Sequence, residues 1–244
     1  MLGSTKNSSP GPDRVNRRVL ARADPSTIIA HMNFWLMVAR PPSAFKIGVT
    51  VPIPKSCDAA GPEEYRPITM GTVLCRFFHR MIAQRAERIL PLEPRQKAFR
   101  RGDGLADNMW LLQSLLDDCK ARVRTLCVTF VDVRKAFDTV SHVSIQKAAL
   151  RIGFPPSFVE YIGCLYADSA TQLRVGGQLS DWIRPRRGVR QGDPLSPLLF
   201  CAVMDWVLSG LDRQIGVRLR GGACSLTTWR SLTMWHWLVR HPRG

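Results

Sequence analysis

The stretch FVDVRKAFDTVSH, residues 130–142, completes an apolar, β-branched run, TLCVTFVDV (125–133), and places a carboxylate, Asp132, at its end. A run of this length, rich in Val and Thr and too short for a core helix, predicts a central strand. A carboxylate there is costly to desolvate without a partner. Two readings of Asp132 stand side by side. It is either a surface-edge aspartate paired with Arg134 or Lys135, or a magnesium ligand, since hard oxygen donors on a rigid strand end suit Mg²⁺ bridging substrate phosphates.

Helices and short strands alternate on both sides of this stretch. PSTIIAHMNFWLMVAR (25–40) predicts a capped helix ending before Pro41 and Pro42, and IGVTVPIPK (47–55) a strand whose prolines place it at a sheet edge. Met70, Val73, Leu74, Phe77, Met81 and Ile82 fall at helical spacing, with Arg76, Arg80, Arg85 and Arg88 mostly elsewhere on the wheel. The pattern repeats through Leu105, Met109, Leu112 and Leu116. Further helices are predicted around 143–152, 156–167 and 196–211, with a hairpin turning at Gly176 and Gly177. Long helices mixed with strands predict an α+β fold.

The 244 residues are 45% apolar, enough for one large core or two small ones, and 35 Lys and Arg against 19 Asp and Glu leave a net charge of +16. That balance favours a polyanionic partner, nucleic acid first, but names no reaction. The seven cysteines form no CxxC pair, which argues against a zinc cluster or disulfide framework and for a reducing compartment. The N-terminus lacks an apolar leader, and no run approaches a membrane span. A soluble intracellular protein without a signal peptide is expected.

FVDVRKAFDTV together with RGVRQGDPLSPLLF (187–200) resembles the first catalytic motif and the following glycine-containing motif of reverse transcriptases. The likeness is greatest to those of non-LTR retrotransposons and group II introns. SPGPDRV (9–15), VPIPKSCDAAGPEEYRPITMGTVLCRFFHRMIAQR (51–85) and RQKAFRRGDGLADNMWLL (95–112) look like the family's upstream blocks, in the family's order. Their wording is most similar to the site-specific elements that insert into ribosomal RNA genes. The resemblance implies a right-hand polymerase fold with fingers and a partial palm, the thumb being absent. It also implies an RNA template, a DNA primer and dNTPs as partners, no membrane, and a nuclear location.

Residue by residue, the resemblance makes Asp132 the catalytic, metal-binding aspartate and the Val133 carbonyl a second metal contact. Phe137 matches the bulky gate that excludes a 2′-hydroxyl; it could also be plain core. Lys55 and Arg66 match positions that grip the triphosphate, Arg by bidentate charge-assisted bonds and Lys as a mobile point charge. Gln191 and Gly192 match the residues that approach nucleotide and template, where glycine permits close contact. Asp138 is expected as a turn or capping residue. YADS (166–169) superficially resembles the YADD box that carries the remaining catalytic aspartates, but it precedes the glycine-containing motif, so Asp168 is expected to be a helix-terminal residue.

Two-metal phosphoryl transfer needs carboxylates beyond Asp132 to hold two Mg²⁺ ions about 4 Å apart. The family's order puts them where the tryptophan-rich tail stands. Back-translating WRSLTMWHW (229–237) and shifting the frame by one base yields Ala-Phe-Ala-Asp-Asp-Val-Ala-Leu for permitted codons, with Val, Ala and Leu forced. The tail is therefore expected to be a frameshift product, with the lesion near codons 222–228. A genuine tail that stacks single-stranded bases is the alternative.

The expected organisation is a poorly ordered basic lead-in (1–24), a fingers-like region (25–120), a partial palm (121–224) and an aberrant tail (225–244). The expected function is an RNA-directed DNA polymerase fragment, inactive as written. The alternatives are a non-catalytic RNA-binding remnant and a group II intron-type reverse transcriptase.

Overall fold

A computed structural model describes residues 9–210, apart from 92, 94, 95, 100–102, 127, 129 and 131, together with 217, 218, 225 and 226. The tail, except for Ser225 and Leu226, lies outside the described residues. The chain opens with α1 (Arg17–Arg22), capped by the Asn16 side chain, so part of the expected lead-in is helical. α2 (Pro25–Met37) starts where Asp24 accepts the Thr27 N–H at 2.9 Å with Pro25 preset in the first turn, and a short α3 (Ser43–Lys46) follows.

β1 (Ile47–Pro54) and β2 (Tyr65–Met70) form an antiparallel hairpin closed by a 3₁₀ turn at Pro62–Glu64. α4 (Val73–Ile89) begins only after β2, with Thr72 accepting the Cys75 N–H at 3.2 Å. Met70, expected on the helix, is therefore a strand residue. α5 (Gly104–Ala121), α6 (Ala136–Thr139), α7 (His142–Arg151) and α8 (Pro156–Ala167) precede β3 (Ala170–Val175) and β4 (Gln178–Leu179). α9 (Ser196–Ser209) and the two-residue strands β5 (Val217–Arg218) and β6 (Ser225–Leu226), which pair with each other, complete the described elements.

The main sheet runs β2-β1-β3-β4, with β1 parallel to β3 and antiparallel to β2. β1 is thus an internal strand, not the edge its prolines suggested. Its pairing with β3 spans only Ile47 to Thr50, so Pro52 and Pro54 lie beyond the part that needs amide donors on both sides. Gly176 and Gly177, at φ +57° and +84°, turn the β3–β4 hairpin as expected.

The central strand expected at 125–133 is not formed by its described residues. A strand is held by ladder bonds to neighbours, and none of the strands β1 to β4 runs beside it.

The core joins α2, α3, α4, α7, α8 and α9, with Tyr161, Ile145, Ile162, Leu199 and Phe200 at its centre and Phe78 packed edge-on to Tyr161. On α4 the deepest residues are Cys75, Phe78 and His79, with Phe77, Met81 and Ile82 packed at the margin. The buried stripe is rotated from the expected one because a purely apolar count passes over a buried histidine. On α5 the expected stripe is turned outward: Asn108, Leu115 and Cys119 are buried, while Leu105, Met109 and Leu116 are exposed. Apolar residues occur on more than one side of α5, so periodicity alone does not select the packed side. No helix among the described residues is long and apolar enough to cross a membrane.

Candidate active site

Three segments far apart in sequence meet around residues 187–193. The Thr69 N–H of β2 donates to the Gln191 carbonyl at 2.7 Å, the Gly188 N–H to the Val140 carbonyl at 2.7 Å, and the Val189 N–H to the Phe137 carbonyl at 2.8 Å. The Gln191 side-chain amide donates to Asp138 at 2.9 Å. Asp138 is therefore the partner of Gln191 within the short α6 turn rather than a helix cap.

Glycine is required twice here. Gly192 has φ +104° and an added Cβ would stand 2.6 Å from the Thr69 carbonyl oxygen; at Gly188, φ +88°, it would stand 2.8 Å from that of Phe137. The two segments that FVDVRKAFDTV and RGVRQGDPLSPLLF contribute are thus in contact, and β2 is clamped to the second.

Arg190 anchors the same turn from another side, donating to the carbonyls of Phe45 at 2.7 Å and Lys46 at 3.1 Å. Beneath the turn, Thr50 shares hydroxyl hydrogen bonds with Thr69 at 2.8 Å and Thr171 at 2.7 Å, joining β2, β1 and β3. These threonines border a cavity of about 350 Å³ that Asp138, His142, Arg187 and Gln191 also line.

The other candidates are placed as follows. Asp132 is exposed and Val133 half-buried, just before the Arg134–Lys135 turn, where Lys135 takes φ +50°. Phe137 is half-buried, edge-on to Phe200 with ring centroids 4.8 Å apart and stacked on Phe99 at 5.8 Å. Lys55 and Arg66 stand on the two sides of the β1–β2 hairpin, Arg66 opposite Ile53, and Lys55 Nζ donates to the Glu63 carbonyl at 2.7 Å. Asp168 caps the end of α8 and pairs with Lys46 at 2.8 Å, as a helix-terminal residue would.

Deeper still lies a network that composition and motif spacing did not reveal. His79 of α4, wholly buried, has Nδ1 at 2.7 and 2.8 Å from the two carboxylate oxygens of Asp193 and Nε2 at 2.9 Å from the Tyr161 hydroxyl. Burial opposes the charge on His79. The attraction of Asp193, with its hydrogen bond, is among the effects that outweigh burial and hold His79 well above its ordinary value. For Asp193 burial likewise opposes ionisation, and His79, Arg190 and the Leu195 N–H together hold it below the usual carboxylate range. Burial pushes the Tyr161 phenol up to about 12.

Cys75 brings a third potential ligand to this cluster, all atoms lying within 4.8 Å. The distances decide against a metal cage. Two ligands held at 2.0–2.1 Å by a tetrahedral zinc ion stand about 3.3 Å apart, whereas 2.7 Å is the length of a charge-assisted hydrogen bond. Asp132 belongs to no cluster of three or more potential ligands among the described residues, which therefore do not assemble a two-ion site on their own.

Residues 53–228 match the family model described as reverse transcriptase (RNA-dependent DNA polymerase). The chain belongs to the reverse transcriptase family. Among its relatives, the Pol polyprotein of the type-2 retrotransposable element R2DM of Drosophila melanogaster is 38% identical over 87% of the chain, and the R2 Pol polyprotein of Nasonia vitripennis 38% over 86%. The chain spans 20% of the length of each. A probable RNA-directed DNA polymerase from transposon BS of Drosophila melanogaster is 28% identical over 79% of the chain and 22% of the relative. The resemblance to reverse transcriptases read from the motifs thus agrees with the family model, and the R2 polyproteins are among the proteins the chain is similar to. Reverse transcriptases as a family use a divalent metal.

Proposed function

We propose that the chain carries the fingers and part of the palm of a right-hand, non-LTR retrotransposon reverse transcriptase, an RNA-directed DNA polymerase acting in the nucleus on an RNA template, a DNA primer and dNTPs. The observation that carries this is the convergence of β2, the 137–140 turn and the 188–192 turn through Thr69, Val140, Phe137 and Gln191.

In this reading Lys55 and Arg66 orient the triphosphate, and Phe137, braced by Phe200, presents a ring edge that leaves no room for a 2′-hydroxyl. Gln191, its amide already held by Asp138, fixes the path of nucleotide and template beside Gly192. Asp132 and the Val133 carbonyl would hold Mg²⁺, which when bound neutralises charge on the phosphates. The further carboxylates are encoded in the neighbouring frame of residues 229–237.

Primer extension on RNA with dNTPs and Mg²⁺ tests the assignment. The 244-residue chain yields no product, and a chain with the frame restored yields one. Extension by the chain as written would overturn the assignment of the missing carboxylates, and failure of both would leave an RNA-binding remnant, for which the charge of +16 suffices.

A further inference from the structure

Asp193 is the centre of a turn held from every side. Its carboxylate receives the Leu195 N–H at 2.9 Å, its carbonyl receives the Ser196 N–H at 3.1 Å, and Ser196 Oγ reaches back to the Arg190 carbonyl at 2.7 Å. These bonds shape the entry to α9 but leave Asp193 buried, 8% exposed, with a charge to be matched. His79 supplies the match from α4, 114 residues away in sequence, and is in turn gripped by Tyr161 from α8. Directly upstream stand Gly192, packed on the Thr69 carbonyl, and Gln191, bonded to the Thr69 N–H.

We infer that His79 is a positioning residue: held by Tyr161, it grips Asp193 and thereby fixes the Gln191–Gly192 turn against β2. The relevance to nucleotide and template rests on the polymerase reading above; the clamp itself does not. The rings of Phe45 and Phe78 flank the imidazole, with centroids 6.3 and 6.0 Å away, and exclude the water that would otherwise substitute for a lost partner. The titratable groups that act on it are Asp193 from the turn, Tyr161 and Tyr166 from α8, and Cys75 from its own helix, while Arg190 of the turn acts on Asp193. Of these, only Asp193 is placed to take a full ionic hydrogen bond from Nδ1, while Cys75 Sγ lies at 3.6 Å.

The test is amide hydrogen exchange on the 244-residue chain, read at Thr69, which donates to Gln191, and at Leu195, which donates to Asp193. His79→Gln speeds exchange at both by roughly tenfold or more relative to Ile152, which caps the C-terminal end of α7 and whose amide donates to Ala148. Ile145→Val, a core change on α7, loosens Ile152 at least as much as Thr69. If His79→Gln raised exchange at Thr69 no more than at Ile152, the role would be general packing and the inference would fall. Should that variant not fold, the imidazole nitrogen resonances of the wild-type chain and of Tyr161→Phe at pH 7 decide. A doubly protonated His79 whose Nε2 signal alone moves in Tyr161→Phe supports the clamp, and a neutral ring overturns it. None of these readouts depends on polymerase activity, so failure of the functional reading leaves a distinct signature.

Discussion

The backbone N–H of Thr69 points at the carbonyl of Gln191 across 2.7 Å, tying the second strand of the hairpin that carries Lys55 and Arg66 to the turn that carries Gly192. This backbone hydrogen bond thus helps set the distance between two groups of residues read as nucleotide contacts. Whatever moves the turn moves one group relative to the other.

Gly192→Ala tests that closeness. An alanine there would be strained at φ +104° and its Cβ would press on the Thr69 carbonyl. Unfolding free energy should fall by about 1–3 kcal/mol, seen as a lower urea midpoint with an unchanged slope. An unchanged midpoint would place the turn away from β2.

The buried pair makes a pH prediction whose sign is fixed by both partners. His79, raised from 6.5, contributes stability in full below 6.5, and this is lost as pH rises toward its folded value. Asp193, lowered from 3.8, contributes above 3.8, and this is lost as pH falls through its folded value. The stability gap between wild type and His79→Gln should therefore be widest between pH 3.8 and 6.5, at about 3–5 kcal/mol for a broken buried pair. His142, whose pKa burial lowers, acts in the opposite direction below 6.5 but is common to both proteins and cancels in the difference. A gap that widened steadily above pH 7 would contradict a charged pair.

Asp168→Asn should matter little. The carboxylate is largely exposed, and its bond with Lys46 is a surface ion pair that water and salt screen. Denaturation and RNA binding should both stay near wild type. A large loss of either would mean that YADS does more than end a helix.

Much of this arrangement is legible in the sequence, and the exceptions share a cause. Helices 142–151, 156–167 and 196–209 and the Gly176–Gly177 turn follow from local pattern and local bonding. The internal position of β1 depends on β3, more than a hundred residues later, and no periodicity in IGVTVPIP reports it. The motif residues Phe137, Gln191 and Gly192, identified by resemblance, lie where the 137–140 and 188–192 turns meet β2, whereas the described residues of the stretch that carries Asp132 form no strand. His79 was passed over because a histidine on an apolar face looks like an interruption. Its one local signal is the Cys75–His79 spacing of four, which puts both side chains on one side of α4.

Sequencing the DNA across codons 210–244 checks the frame. The neighbouring frame should read Phe-Ala-Asp-Asp followed by further polymerase-like sequence. A frame that encodes nothing of the kind would make the Trp-rich tail genuine and remove the second carboxylate pair from the scheme.

The most direct measurement is primer extension by the frame-restored polypeptide with and without Asp132→Asn, with RNA binding followed in parallel. Removing the carboxylate proposed to bind metal should abolish synthesis while leaving RNA affinity within about twofold, since affinity for a polyanion comes from Lys and Arg at the phosphates. Synthesis that survives Asp132→Asn would contradict the assignment of Asp132 and, with it, the polymerase site built around it.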